Sequence, residues 1–117
     1  MTDISISTNN IDVKKRLTES LLHNHPEHVP VYVDKSQNPL TPPLGKSKYL
    51  VPSTMKVNEF FMAIRQKMTK LPPTHALILT INKVIPSPSD TFGELYRKYK
   101  SDDNFLHIQY HTEVTYG

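Results

Sequence analysis

From Ile11 onward the apolar residues Val13, Leu17 and Leu21 recur at helical spacing. Asn10 stands before them as a cap, and Asp12 lies in the first turn, where a negative charge suits the helix dipole. The spacing predicts a leading helix over about 11–24, with Pro26 beyond its end. Met1 to Asn10 is small, polar and β-branched with no clear period, and reads as a flexible polar arm over 1–10. In His28–Asp34 the alternation of Val29, Val31 and Val33 predicts a strand. Pro30 has no amide to donate, which argues for an edge position or a bulge. Pro39, Pro42, Pro43 and Gly45 mark a loop, after which Lys48–Val51 makes a short strand stopped by Pro52. Two strands joined by a loop of this length most simply pair as an antiparallel hairpin.

Val57, Phe60, Phe61, Ile64 and Met68 lie on one helical face, predicting an amphipathic helix from Val57 to about Thr69 that ends before Pro72 and Pro73. The apolar run Ala76–Ile81 reads as a buried strand; Asn82 and Lys83 allow a tight turn, and Val84 and Ile85 a short return. Thr91 and Glu94 have capping-box spacing at the start of a small helix carrying Phe92, Leu95 and Tyr99. Phe105–His111 is the last strand, with a flexible tail expected over about 112–117. The fold class is therefore α+β. After the leading helix the order of elements is that of the ubiquitin-like β-grasp, a mixed sheet around one main helix. One domain, 11–117 with its leading helix as an N-terminal extension, accounts for the chain.

Composition narrows the function. A chain of 117 residues can bury one core without staples. Cysteine is absent, which excludes disulfides, thiolate metal sites and thiol nucleophiles. No apolar run approaches the ~20 residues of a membrane span, and MTDISISTNN lacks the apolar segment of a signal peptide, so a cytoplasmic protein is expected. The net charge of +3 is mild but uneven: Lys46, Lys48, Lys56, Arg65, Lys67 and Lys70 face only Glu59 in the middle of the chain. That stretch suits acidic partners or anionic headgroups, or is a solvated face. No glycine-rich or aromatic-interleaved basic motif accompanies it, so nucleic acid is not expected.

Candidate chemistry is sparse. His23, His25 and His28 cluster with Glu27, but a zinc site needs three or four ligands converging in one geometry, and a solvated turn is the simpler account. No nucleophile with a base and orienting group can be assembled, and three glycines cannot supply a phosphate loop. No enzyme, metal or catalytic residue is expected. Two features remain. Gly117 at the end of the sequence reads as an accident of position or as an unhindered carboxyl group suited to being joined to an amine. Lys48–Pro52 reads as a strand that accepts a partner strand through its main chain, or as an edge guarded by lysine against aggregation.

KSKYLVPS at Lys46–Ser53, FFMAIRQKM at Phe60–Met68, INKVIP at Ile81–Pro86, GELY at Gly93–Tyr96 and the terminal TYG resemble the ubiquitin-like modifiers of autophagy. That family includes microtubule-associated protein light chain 3 and the GABA-receptor-associated protein. The resemblance implies a β-grasp core preceded by two N-terminal helices, and Gly117 joined to phosphatidylethanolamine. The implied partners are activating and conjugating enzymes, a processing and delipidating cysteine protease, and cargo receptors with an aromatic-x-x-aliphatic motif. The implied location is the cytoplasm and the autophagosome membrane. A motif peptide would add to the second strand of the core. Its aromatic residue would meet Leu21, Pro30, Tyr32, Lys48, Leu50 and Phe105. Its aliphatic residue would meet Tyr49, Val51, Pro52, Met55, Phe60 and Ile64, with Lys46, Lys48 and Lys67 facing acidic neighbours. The chain departs from the family pattern at Leu17, often acidic, at His28, often basic, and in its polar opening. A soluble, unlipidated adaptor of the same fold is the alternative.

Overall fold

The computed structural model describes residues 1–4, 10–38, 41–69 and 71–114. Gly117, Lys70, Pro39 and residues 5–9 of the expected arm lie outside the described residues. Five strands and three helices follow in the order β1 (Thr2–Asp3), α1 (Ile11–Asn24), β2 (His28–Lys35), β3 (Lys48–Pro52), α2 (Val57–Lys67), β4 (His75–Thr80), α3 (Phe92–Tyr99) and β5 (Leu106–Val114). The sheet order is β1-β3-β2-β5-β4, with β2 and β5 parallel and the other pairs antiparallel. This is the mixed sheet of a ubiquitin-like β-grasp with an N-terminal helix added.

Local signals in the sequence account for most of the boundaries. The Asn10 side chain accepts hydrogen bonds from the amides of Asp12 (2.9 Å) and Val13 (3.3 Å), which starts α1 where the cap predicts. Thr91 Oγ1 accepts from the Glu94 amide at 3.4 Å and starts α3. Gly93 sits where a Cβ would come within 3.1 Å of the Ser53 carbonyl, so the residue after β3 and the first turn of α3 meet more closely than most side chains fit without a small adjustment. The loop glycine, Gly45, has φ +90°, a left-handed conformation that glycine adopts without a steric penalty. Asn82 and Lys83 also have positive φ and close a tight turn, but Val84 makes only a single bridge to Ile81 rather than the expected returning strand.

Three expectations are corrected. Thr2 and Asp3, assigned to a loose arm, pair antiparallel with Leu50 and Tyr49 of β3. β2 is the middle strand, not an edge: odd-numbered residues face β3, as shown by hydrogen bonds from Ser53 to Glu27 O and from Val33 to Ser47 O. Pro30 therefore turns its missing donor toward β5, whose pairing begins only at Val31, and no ladder bond is lost. The tail expected from 112 is strand through Val114, with Leu77 opposite Thr112 and His75 opposite Val114.

The two faces of the sheet are filled differently. Val29, Val31, Val33, Tyr49 and Val51 join Phe60 and Ile64 of α2 and Leu106, Ile108 and Tyr110 of β5 in one apolar core. On the other face α1 packs against β2, and the buried side chains there include Leu50, Phe105, Lys48 and Thr18.

Candidate functional site

β3 offers the candidate site because alternation gives it two usable sides and one usable edge. Tyr49 and Val51 point into the α2 core and are fully buried, while Lys48 and Leu50 point to the α1 face at 7% and 6% exposure. The β2 pairing uses the main-chain groups of Tyr49 and Val51, so those of Lys48 and Leu50 face the opposite edge, on the side of β1. They are the groups that an added strand would bond.

On the α1 face Tyr32 is the hub. Its ring stacks on His107 at 5.1 Å, meets Phe105 edge-on at 6.0 Å, and lies 4.9 Å from Lys14 Nζ and 5.0 Å from Lys48 Nζ. Pro30 pairs with Leu50 and Tyr32 with Lys48 across β2 and β3. Leu21 is half-buried on α1. Pro30, Tyr32, Lys48, Leu50 and Phe105, expected around an aromatic pocket, are thus brought onto one face. Lys48 differs from expectation in one respect: it is buried rather than a surface cation. Burial lowers its ammonium pKa, the neighbouring Lys14 charge lowers it further, and Asp34 opposes both.

The residues expected around an aliphatic pocket also converge. Tyr49, Val51, Phe60 and Ile64 are core, Met55 packs against them, and Pro52 is half-buried at the strand end. Burial pushes the Tyr49 phenol up to about 12, and Asp3 and Tyr110 add to the shift. Its hydroxyl donates to Lys46 O at 3.0 Å. Lys46 and Lys67 are exposed, with Lys67 Nζ 5.8 Å from the Tyr49 ring centre. Arg65, counted with the positive surface, instead donates to His75 O (2.7 Å) and Pro72 O (3.2 Å), tying the end of α2 to the start of β4. An apolar recess of about 330 Å³ lined by Val57, Phe61, Leu77, Ile85 and Pro86 lies apart from these residues.

Sequence spacing gave no sign of the polar cluster beside Tyr32. Asp103 Oδ2 lies 2.8 Å from His107 Nε2 and 3.6 Å from Lys14 Nζ, and Asp103 Oδ1 accepts the Phe105 amide at 2.9 Å. His107 Nδ1 also reaches Asp34 Oδ2 at 3.4 Å. Burial would raise the Asp103 carboxyl. The Phe105 and His107 hydrogen bonds and the His107 and Lys14 charges outweigh it and hold the carboxyl below the usual range. Thr18 Oγ1, fully buried on α1, lies within hydrogen-bond distance of Lys14 O, Lys15 O and Asp103 O. Among the described residues no group of three His, Asp or Glu side chains is arranged to hold a metal; the His25 and His28 rings meet edge-on at 5.8 Å.

Comparison with known proteins agrees with this architecture. Residues 13–117 match the family described as autophagy protein Atg8, ubiquitin-like. Autophagy-related protein 8 of Dictyostelium discoideum is 34% identical over 107 residues, covering 92% of this chain and 88% of the relative. The crystal structure of Trypanosoma brucei ATG8 superposes with a TM-score of 0.81 at 27% identity, covering 94% of both chains. Plasmodium falciparum Atg8, solved with a peptide of P. falciparum Atg3, shares the fold at a TM-score of 0.80 and 24% identity, covering 92% of this chain and 94% of that one. Family members are ubiquitin-like modifiers and not enzymes. The chain belongs to the Atg8 family of ubiquitin-like autophagy proteins.

Proposed function

We propose that this protein is conjugated through Gly117 to phosphatidylethanolamine and, on forming autophagosome membranes, docks receptor peptides with an aromatic-x-x-aliphatic motif along β3. The observation that carries the reading is the family match, which extends through residue 117 and so includes the glycine. The chain has no cysteine, so the thiol chemistry belongs to its partners. A thioester between the Gly117 carboxyl and an enzyme cysteine is attacked by the lipid amine; the amide forms and the thiolate leaves. Activating and conjugating enzymes, a processing and delipidating cysteine protease, and cargo receptors are the partners in this reading. The Atg3 peptide bound to the Plasmodium relative supports a conjugating enzyme among them. The protein divides between the cytoplasm and the autophagosome membrane, which it reaches by the attached lipid. A docked peptide bonds the outward main chain of Lys48 and Leu50. Its aromatic residue lies toward Leu21, Pro30, Tyr32 and Phe105, and its aliphatic residue toward Val51, Pro52, Met55, Phe60 and Ile64. Acidic flanks face Lys46 and Lys67.

The intact mass of Gly117-containing peptides from the native host tests the covalent part. A lipid adduct supports the modifier, and free glycine alone favours the soluble adaptor. Gly117→Ala should keep the fold and reduce the membrane-bound fraction in cells; unchanged membrane recovery overturns the conjugation site.

A further inference from the structure

The strand that offers the docking edge is not vacant. Thr2 and Asp3 pair with Leu50 and Tyr49, and the Ile4 amide donates to Lys48 O at 2.8 Å. These contacts fall on Lys48 and Leu50, whose main-chain groups β2 leaves unused. Register also places the side chains. Asp3 opposite Tyr49 puts Asp3 and Met1 on the α2 side of the sheet, and Thr2 opposite Leu50 puts Thr2 and Ile4 on the α1 side. Met1 accordingly packs against the core cluster containing Tyr49, Val51, Phe60 and Ile64, and Ile4 is half-buried. Met1 and Ile4 are thus three residues apart and serve opposite sides of β3. An aromatic-x-x-aliphatic peptide would present its two anchors with the same spacing. The acidic residue between them, Asp3, adds its charge to the burial that raises the Tyr49 phenol.

Resting on the reading that β3 docks peptides, we infer that residues 1–4 are an internal occupant of the docking edge, which an incoming receptor strand must displace. The backbone can hold one strand there, because Lys48 and Leu50 have one set of outward groups between them. Binding of an external peptide is then reduced by the fraction of molecules in which β1 is seated. The segment sets a threshold: weak motif peptides are excluded, and stronger ones release the strand. Neither anchor is aromatic, so the internal strand fills the α1 side less completely than a tryptophan-bearing peptide would.

The test is titration calorimetry of a synthetic acidic-flanked Trp-x-x-Leu peptide against the full chain, a variant lacking residues 1–4, and Ile4→Pro. The proline removes the amide that bonds Lys48 O while leaving Met1 in the chain. Hydrogen exchange at the Leu50 amide in the unliganded proteins reads the seating directly. Both variants should bind about tenfold tighter than the full chain, and both should lose protection at Leu50 while keeping it at Ile78 and Thr80, whose amides face β5. Equal affinity of all three proteins overturns the inference and leaves the docking reading in place. Absence of binding by all three overturns the docking reading and the inference with it. Tighter binding without a change at Leu50 overturns the strand-displacement account, since the edge would then be open in the full chain as well.

Discussion

The two faces of the sheet are held by different forces. Under α2, Val31, Val51, Phe60 and Ile64 are fully buried, and the Phe60 and Phe92 rings lie 4.8 Å apart with no polar partner needed. Under α1 the contacts are directional: Thr18 reaches the Asp103 carbonyl, Lys14 pairs with Asp103, and Tyr32 is bordered by two ammonium groups and an imidazole. The first face gains from area removed from water. The second gains only while each buried polar group keeps its partner, because an orphaned one costs its full desolvation. The proposed docking edge runs between them, so a bound peptide would be read by an apolar wall on one side and an ionic, aromatic wall on the other.

The largest effect is expected from emptying the apolar face. Phe60→Ala removes a ring with 0% exposure and should cost about 3–5 kcal/mol, measured by chemical denaturation. A loss under 1 kcal/mol would mean that α2 can collapse onto the sheet without the ring, and that the two faces differ less than their contacts imply.

Breaking the polar face should cost somewhat less and should depend on pH. Asp103→Asn keeps the shape but removes the charge that Lys14 and His107 approach, for a loss of about 2–3 kcal/mol near neutrality. The sign follows from the depressed carboxyl. Its folded pKa lies below the unfolded value of about 3.9, so its contribution is complete above that value and is lost as pH falls through the folded pKa. Denaturation of parent and variant from pH 7 to pH 2 should therefore show curves that converge below about pH 4. Phe60→Ala should show a gap to the parent that does not depend on Asp103 ionisation. Parallel Asp103→Asn curves over the whole range would show that the carboxylate charge is not what fastens α1.

The same contrast explains what could be read from the sequence. α1, α2, α3 and the four longer strands appear because a helix or half-buried strand imposes its own period, so Val57, Phe60 and Ile64 announce α2 without reference to any other element. Thr18, Asp103 and His107 have no period to announce them; what makes them a unit is that the fold brings α1 against the residues leading into β5. β1 is two residues long, too short for alternation to register, and forms on the edge of β3 that β2 does not use. The place of Pro30 is hidden from the sequence for the same reason. Its ring forbids a donor on one side only, and which side carries a neighbour is a property of sheet order. For the candidate site, motif resemblance named residues that do converge on β3, but it could not tell that Lys48 is buried against Tyr32 or that Met1 to Ile4 occupy the edge.

The smallest effect separates an exposed charge from a buried one. Lys67 is exposed beside Tyr49, whereas the side chains of the Lys14 and Asp103 pair are only 11% and 9% exposed. Lys67→Glu should leave the denaturation midpoint almost unchanged and weaken an acidic-flanked motif peptide by about two- to fivefold at low salt, the scale of a single exposed ion pair. Surface charges are screened over about 10 Å at 0.1 M salt, so the difference between parent and variant should shrink toward zero as salt rises to 1 M. Over the same range the stability gap produced by Asp103→Asn should change little, because solvent ions do not penetrate between buried partners. Calorimetric titrations and denaturation midpoints at low and high salt read the two effects side by side. A Lys67 effect that persists at 1 M salt would place this lysine in direct, desolvated contact with the peptide, and the docking surface would then extend over the end of α2.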